Sequence, residues 1–276
     1  MPSQKKSKII HSKLPELRQK IDEVDHQIIN LLAKRMDIVD EVAILKRESG
    51  NNIFIKSNRE ADMIKDITKK LDSRYPISHL VAIWRKIISA ANLHEQDVNI
   101  GLYNPEQITD YKYLISDHYS SEFKIFAFEE VRKLIADIEA KKIRIGILPV
   151  PKNDDFWWQL LADSKIKIFA KLPFVKSQVS DHELFCVAIK EVEPSQDDIT
   201  LLYLETKNQL DANQVEEILQ QVNFEVECIL SQNLAQDLNV FLFEIRGFVS
   251  EDDPKLDKLS ENDLWANILG YYATQI

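Results

Sequence analysis

From Leu14 onward the apolar residues recur in steps of three and four: Leu14, Leu17, Ile21, Val24, Ile28 and Leu31, then Ile38, Val42 and Leu45. The spacing predicts one helix of about 35 residues, roughly 50 Å long and too long to fold back on itself. One seat in its apolar seam is missing, and Arg35 occupies it. Ser49-Gly50-Asn51-Asn52 offers a turn after Glu48, and following a short extended run, IFIK, Ser57 or Asn58 can cap a second helix. That helix carries Met63, Ile64, Ile67 and Leu71 on one face, and stepping back four residues from Ile64 adds Glu60 to it. A third helix starts at Pro76 and Ser78, with Leu80, Trp84, Ile88, Ala91 and then Glu95 as its inner stripe. Each of the three seams therefore holds one ionisable group where a hydrophobe is due.

After Asp97 the period shortens. VNIGLY, FKIFAF, IRIGILPV, IKIFAKLPF and LFCVAIK read as short buried strands, with EEVRKLIADIEAKK and FWWQLLADS as helices between them. From Asp198 the order is strand, helix, strand, strand, helix, strand, the βαββαβ arrangement of a ferredoxin-like unit. The expected architecture is multi-domain: an all-α three-helix region over 1–97, an α/β lobe over 98–195 and an α+β unit over 196–276.

Composition sharpens the chemistry. Only five of the 276 residues are glycine, at 50, 101, 146, 247 and 270, so neither a GxGxxG fingerprint nor a GxxxxGK[ST] phosphate loop can be built. Any bound anion must be held by side chains. The net charge of -10 averages two unlike parts. Residues 1–100 carry 18 Lys and Arg against 14 Asp and Glu, a net of +4; residues 101–276 carry 17 against 31, a net of -14. Anion chemistry therefore belongs in the first hundred residues. Cys186 and Cys228 have no metal-ligand spacing, no signal-like run is present, and no window approaches the roughly 20 apolar residues of a membrane span. A cytoplasmic protein with no nucleic-acid or membrane partner is expected.

A guanidinium in an apolar seam is costly unless something anionic meets it. Glu60 or Glu95 could supply a structural ion pair. Alternatively, Arg35 and Lys46, roughly 16 Å apart along the helix, could close around a small dianion. Arg18 stands about 25 Å from Arg35, out of reach within one chain, but a second chain could present it if two such helices lie antiparallel.

The run LPELRQKIDEVDHQIINLLAKRMDIVDEVAILK, the Arg59-Glu60 pair and IWRKIISAANLHEQ resemble the all-helical class of chorismate mutase over about residues 14–96. The resemblance implies an entwined homodimer of three-helix protomers that converts chorismate to prephenate, in phenylalanine and tyrosine biosynthesis, with no cofactor or metal. It implies that Arg35 and the partner protomer's Arg18 bind the two carboxylates of chorismate. Lys46 contacts the ether oxygen and a carboxylate, Arg59 supports the carboxylate end, Glu60 accepts from the ring hydroxyl, and Glu95 lies beside the ether oxygen. Two positions depart from the family: Lys56 stands where Asp is frequent, and Ala91 where Ser is. Weaker affinity is the expected consequence. A Claisen rearrangement asks only for a compact substrate conformer and donors aimed at the oxygen that gains charge.

The whole chain resembles bifunctional chorismate mutase/prephenate dehydratase, in which a dehydratase and an ACT domain follow the mutase. Here the dehydratase motif Thr-Arg-Phe reads Glu183-Leu184-Phe185, and the lobe is about half the length expected, so dehydratase activity is expected to be absent. Lys207-Asn208-Gln209-Leu210-Asp211 replaces the glycine-rich turn of ACT domains, and their Glu-Ser-Arg-Pro motif is not found around Glu227-Cys228, which leaves that unit a structural or dimerising role. Trp157 and Trp158 read as core, and His26, His79, His118 and His182 as surface or satisfied residues. Two other functions fit the helical region: an isochorismate-pyruvate lyase-like enzyme, and a non-catalytic partner-binding protein with a degenerate mutase fold.

A carboxylate at position 95 repels the developing ether charge unless it is protonated, and burial favours the neutral form. Mutase activity should therefore fall as pH rises, and Glu95→Gln should flatten the profile. An unchanged pH profile in that variant would remove Glu95 from the reaction.

Overall fold

The computed structural model describes residues 2–48, 55–70, 74–95, 98–152, 155–176, 180–234 and 238–276, without the side chains of residues 2–12 and 47. The expected turn at 49–52, the start of the IFIK run and Leu71 lie outside the described residues. The chain divides into two compact units, residues 1–54 and 55–276.

The first unit is the helix α1 (Pro2–Glu48), 47 residues where about 35 were expected. At 1.5 Å per residue it is about 70 Å long.

The second unit opens with α2 (Ser57–Lys70) and α3 (Ile77–Glu95). The apolar face of this hairpin, Ala61, Ile64, Val81 and Ile88, closes over Phe174. The expected stripe on α3 is only partly the buried one. Leu80, Ile88 and Ala91 are buried, but so are Val81, Arg85, Ser89 and Asn92, whereas Trp84 and Glu95 are half-buried. The helix touches α2 on one side and the next helix, α4 (Thr109–His118), on the other, so it buries a wider arc than a single stripe.

Strands β1 (Asn99–Tyr103), β2 (Lys124–Phe128) and β3 (Ile145–Pro149) are parallel, with α4 and α5 (Val131–Glu139) as crossovers. Helix α4 was not anticipated, although Tyr111, Leu114, Ile115 and His118 all point inward at helical spacing. Strands β4 (Ile166–Leu172) and β5 (Leu184–Ile189) follow, β5 pairing antiparallel with both β3 and β4. The segment FWWQLLADS yields only the short α6 (Gln159–Ala162). Its two tryptophans are core, as expected: Trp157 and Trp158 are fully buried, and Trp158 Nε1 donates to the Asp155 carbonyl at 2.9 Å.

The remainder is β6 (Asp198–Thr206), α7 (Ala212–Gln221), β7 (Val226–Leu234), β8 (Leu238–Arg246), α8 (Pro254–Asp257) with a 3-10 turn over Lys258–Asn262, and β9 (Trp265–Ala273). This is the anticipated βαββαβ order, and α7 starts on a capping box between Asp211 and Gln214. Among the described residues the nine strands form one mixed sheet, ordered β2-β1-β3-β5-β4-β9-β6-β8-β7. The two halves meet where β9 pairs in parallel with β4 through Ile168 and Gly270. A Cβ at Gly270 would lie 2.0 Å from the Ile168 carbonyl oxygen, and its φ is +150°. Only glycine lets the strands approach this closely.

Among the described residues no helix is long and apolar enough to cross a membrane. Gly270→Ala should lower stability by about 3 kcal/mol, combining backbone strain with overpacking at the seam between the halves. Urea denaturation of the full chain measures it, and a change below about 0.5 kcal/mol would show that the seam tolerates the methyl group.

Candidate active site

The residues singled out in the sequence fall on both units. On α1, Arg18 is exposed while Arg35 and Lys46 are half-buried. The Nη1 of Arg35 is buried and has no hydrogen-bond partner. Around these cations, twelve large apolar side chains of α1 stay exposed, from Leu14 at 45% through Leu31 at 66% to Leu45 at 64%. So long an apolar stripe on one helix marks a surface built to be covered.

On the second unit, Arg59 is exposed and Glu95, the last residue of α3, is half-buried. Glu60 is different. Its side chain is 12% exposed, and both oxygens accept from α3: Oε2 from Arg85 Nη1 at 3.1 Å, Oε1 from Asn92 Nδ2 at 3.2 Å. Arg85 is itself buried, its guanidinium 4.9 Å above the Phe174 ring, and its Nε has no partner. Burial pulls the Arg85 pKa down and the Glu60 charge opposes the shift. Arginine nevertheless remains cationic, so this is an ion pair inside the protein. Neither Arg85 nor Asn92 stood out in the sequence, because the inner stripe was drawn through Trp84. A phase shifted by one residue, Val81-Arg85-Ile88-Asn92, would have revealed both.

Lys56, the first departure from the family pattern, forms a salt bridge with Glu193, whose carboxyl is lowered chiefly by that hydrogen bond. Beside it, Asn58 Nδ2 donates to the Pro194 carbonyl at 3.2 Å, and the Gln196 N–H donates to Asp62 Oδ1 at 2.9 Å. Further along α2, the buried Lys65 donates to Thr274 Oγ1 at 2.7 Å. Lys190 donates to the Ile55 carbonyl at 2.8 Å and lies 4.6 Å above the Phe169 ring; burial brings its ammonium down to about 8. The segment 190–197, between β5 and β6, thus fastens the N-terminal half of α2.

Of the histidines, His118 is buried, and burial, with Arg85 and Lys86, holds its pKa well below the usual value. It is a neutral core residue. Cys186 is likewise buried in β5, its thiol pushed up to about 12, which rules it out as a nucleophile at neutral pH.

The cations at Arg18, Arg35 and Lys46 lie along one helix, and Arg59 opens the next, in a helical N-terminal region. Residues 17–96 match the family model "Chorismate mutase type II", and the chain belongs to that family. It is 34% identical over 71 residues to a chorismate mutase of Methanocaldococcus jannaschii, covering 26% of this chain and 70% of that protein. It is 23% identical over 172 residues to a bifunctional chorismate mutase/prephenate dehydratase of Aquifex aeolicus, a stretch covering 58% of this chain and 46% of the relative. A similar bifunctional protein of Stutzerimonas stutzeri is 22% identical over 146 residues, covering 51% of this chain and 40% of the relative. The chain thus spans less than half the length of these bifunctional relatives. Among solved structures, a prephenate dehydratase of Streptococcus mutans covers 64% of this chain and 98% of its own, at 16% identity and a TM-score of 0.48.

Arg85→Met should destabilise the protein by about 3–5 kcal/mol, because it strands the Glu60 charge in the interior. Adding Glu60→Leu should recover most of that loss. Thermal melts of both variants measure it; a double variant no more stable than Arg85→Met would show that the cost comes from packing rather than charge.

Proposed function

We propose that the chain is a chorismate mutase, rearranging chorismate to prephenate by electrostatic binding of the dianion, without a covalent intermediate. Arg35 carries this reading: a buried guanidinium nitrogen with no partner, set in an apolar seam, on a helix matched by the mutase family. Unsatisfied buried donors are rare in native proteins and point to a ligand that completes them. A substrate carboxylate is the complementary group. In the mutase reading Lys46 donates to the ether oxygen, where negative charge grows as the C–O bond lengthens, and so favours the transition state over the ground state. Arg59 supports the carboxylate end, Glu60 accepts from the ring hydroxyl and Glu95 lies beside the ether oxygen. No group has to form a bond to substrate.

The exposed apolar stripe of α1 supports a homodimer in which two such helices pair antiparallel. In that arrangement Arg18 of one protomer completes the site around Arg35 of the other. Dehydratase activity is absent in this reading. At the position of the family's Thr, Glu183 forms an ion pair with Lys171 at 3.0 Å, and at that of its Arg, Leu184 is fully buried. The ferredoxin-like end is an ACT-like unit with a structural or dimerising role.

Incubation of the full chain with chorismate, with products identified, should give prephenate and no phenylpyruvate. Arg35→Ala should lower kcat/KM by about 10²–10³-fold. Mixing Arg18→Ala with Arg35→Ala protein should regain activity, because a mixed dimer contains one site with both arginines. Pyruvate release would identify a lyase, untouched chorismate would end the enzymatic reading, and phenylpyruvate would reinstate the dehydratase.

A further inference from the structure

Glu60 enters the proposed site with its carboxylate already gripped from α3. Arg85 and Asn92 are seven residues apart, two turns of one helix, and reach the same carboxylate from one face, each taking a different oxygen. An ionised carboxylate offers about four lone-pair positions, so two donors leave acceptor capacity on both oxygens for a ligand hydroxyl. The carboxylate is held by two donors from one neighbouring helix. Arg85 is held against Phe174, and both donor residues are buried, at 5% and 7% exposure, with a side-chain hydrogen bond each to Glu60. A carboxylate on a flexible side chain would pay rotamer entropy on binding; one fixed by two partners does not.

The geometry points to Arg85 and Asn92 as positioning residues for the mutase reaction, acting through Glu60 to aim its oxygens at the ring hydroxyl of the substrate. The role rests on the mutase reading above. The ring hydroxyl keeps its charge during the rearrangement, so losing its acceptor weakens substrate and transition state alike. The expected signature is a raised KM with kcat nearly unchanged. A merely structural pair behaves differently: its loss reduces the folded fraction, which lowers apparent kcat and leaves KM alone.

The test is a kinetic double-mutant cycle on the full chain, with chorismate as substrate and a thermal melt for every variant. Arg85→Met and Asn92→Leu should each raise KM about tenfold, the worth of one good hydrogen bond, and Glu60→Gln by a similar factor. In the Glu60→Gln background, either replacement should change KM less than twofold, since the group through which it acts is gone. Asn92→Leu leaves the ion pair intact and decides the matter alone if Arg85→Met does not fold. Unchanged KM with kcat falling in step with the folded fraction would overturn the role, as would effects that multiply in the Glu60→Gln background. A wild-type protein that leaves chorismate intact fails at an earlier step and overturns the mutase reading, and this role with it.

Discussion

An α-helix rises 1.5 Å per residue, so α1 carries its exposed apolar side chains over about 45 Å of unbroken rod between Leu14 and Leu45. An isolated helix gains little stability from its own hydrogen bonds; most of it comes from burying an apolar face. Whatever covers this face must be equally long and apolar, and it must also contend with Arg18, Arg35 and Lys46 in the same strip. Excluding water strengthens a cation's hold on an anion and raises the penalty for leaving the cation alone. In the proposed homodimeric mutase, assembly and anion binding are therefore one problem on this helix: the cover that satisfies the leucines leaves the arginines in need of a counter-charge.

The second unit solves a related problem internally. Helices α2 and α3 have apolar faces too short to stand alone, and they hold to each other and to neighbouring segments through polar and charged contacts as well as apolar ones. Glu60 finds Arg85 and Asn92, Lys65 finds Thr274, and Lys56 finds Glu193. The last pair anchors Lys56, just ahead of α2, to the segment ahead of the ferredoxin-like half. The exposed parts of that anchoring contribute little energy individually. Their effect is geometric, since they fix the end of α2 that carries Arg59 and Glu60.

Much of this was legible in the sequence because periodicity reports burial. The seam of α1, the short strands after Asp97 and the βαββαβ order all follow from spacing. What escaped did so for definable reasons. TDYKYLISDH, the α4 helix, places only four residues inward among polar ones, so its composition hid its period. FWWQLLADS looked like a helix because it is apolar, yet two adjacent residues as large as Trp157 and Trp158 are both fully buried, and only one turn of helix forms after them. Arg85 and Asn92 were hidden by a one-residue phase error on α3, a helix that buries an arc wide enough to suit two phases. Long-range pairs such as Lys56 with Glu193 have no local signature at all.

The junction of the two half-sheets rests on buried charge as well as on backbone pairing. Lys171 is almost fully buried, and Glu183 at 3.0 Å and Glu244 at 3.5 Å compensate it, with Tyr272 donating to Glu244. Burial drives the Tyr272 phenol far above its usual range, which keeps it protonated and able to donate. These residues come from β4, β8 and β9 and from Glu183 just ahead of β5, on both sides of the junction at Gly270. A polar cluster so placed must be satisfied completely or it destabilises the fold. Each of its members is committed to another, and Leu184, the next residue after Glu183, is sealed in the core. These charges tie β4, in one half-sheet, to β8 and β9 in the other.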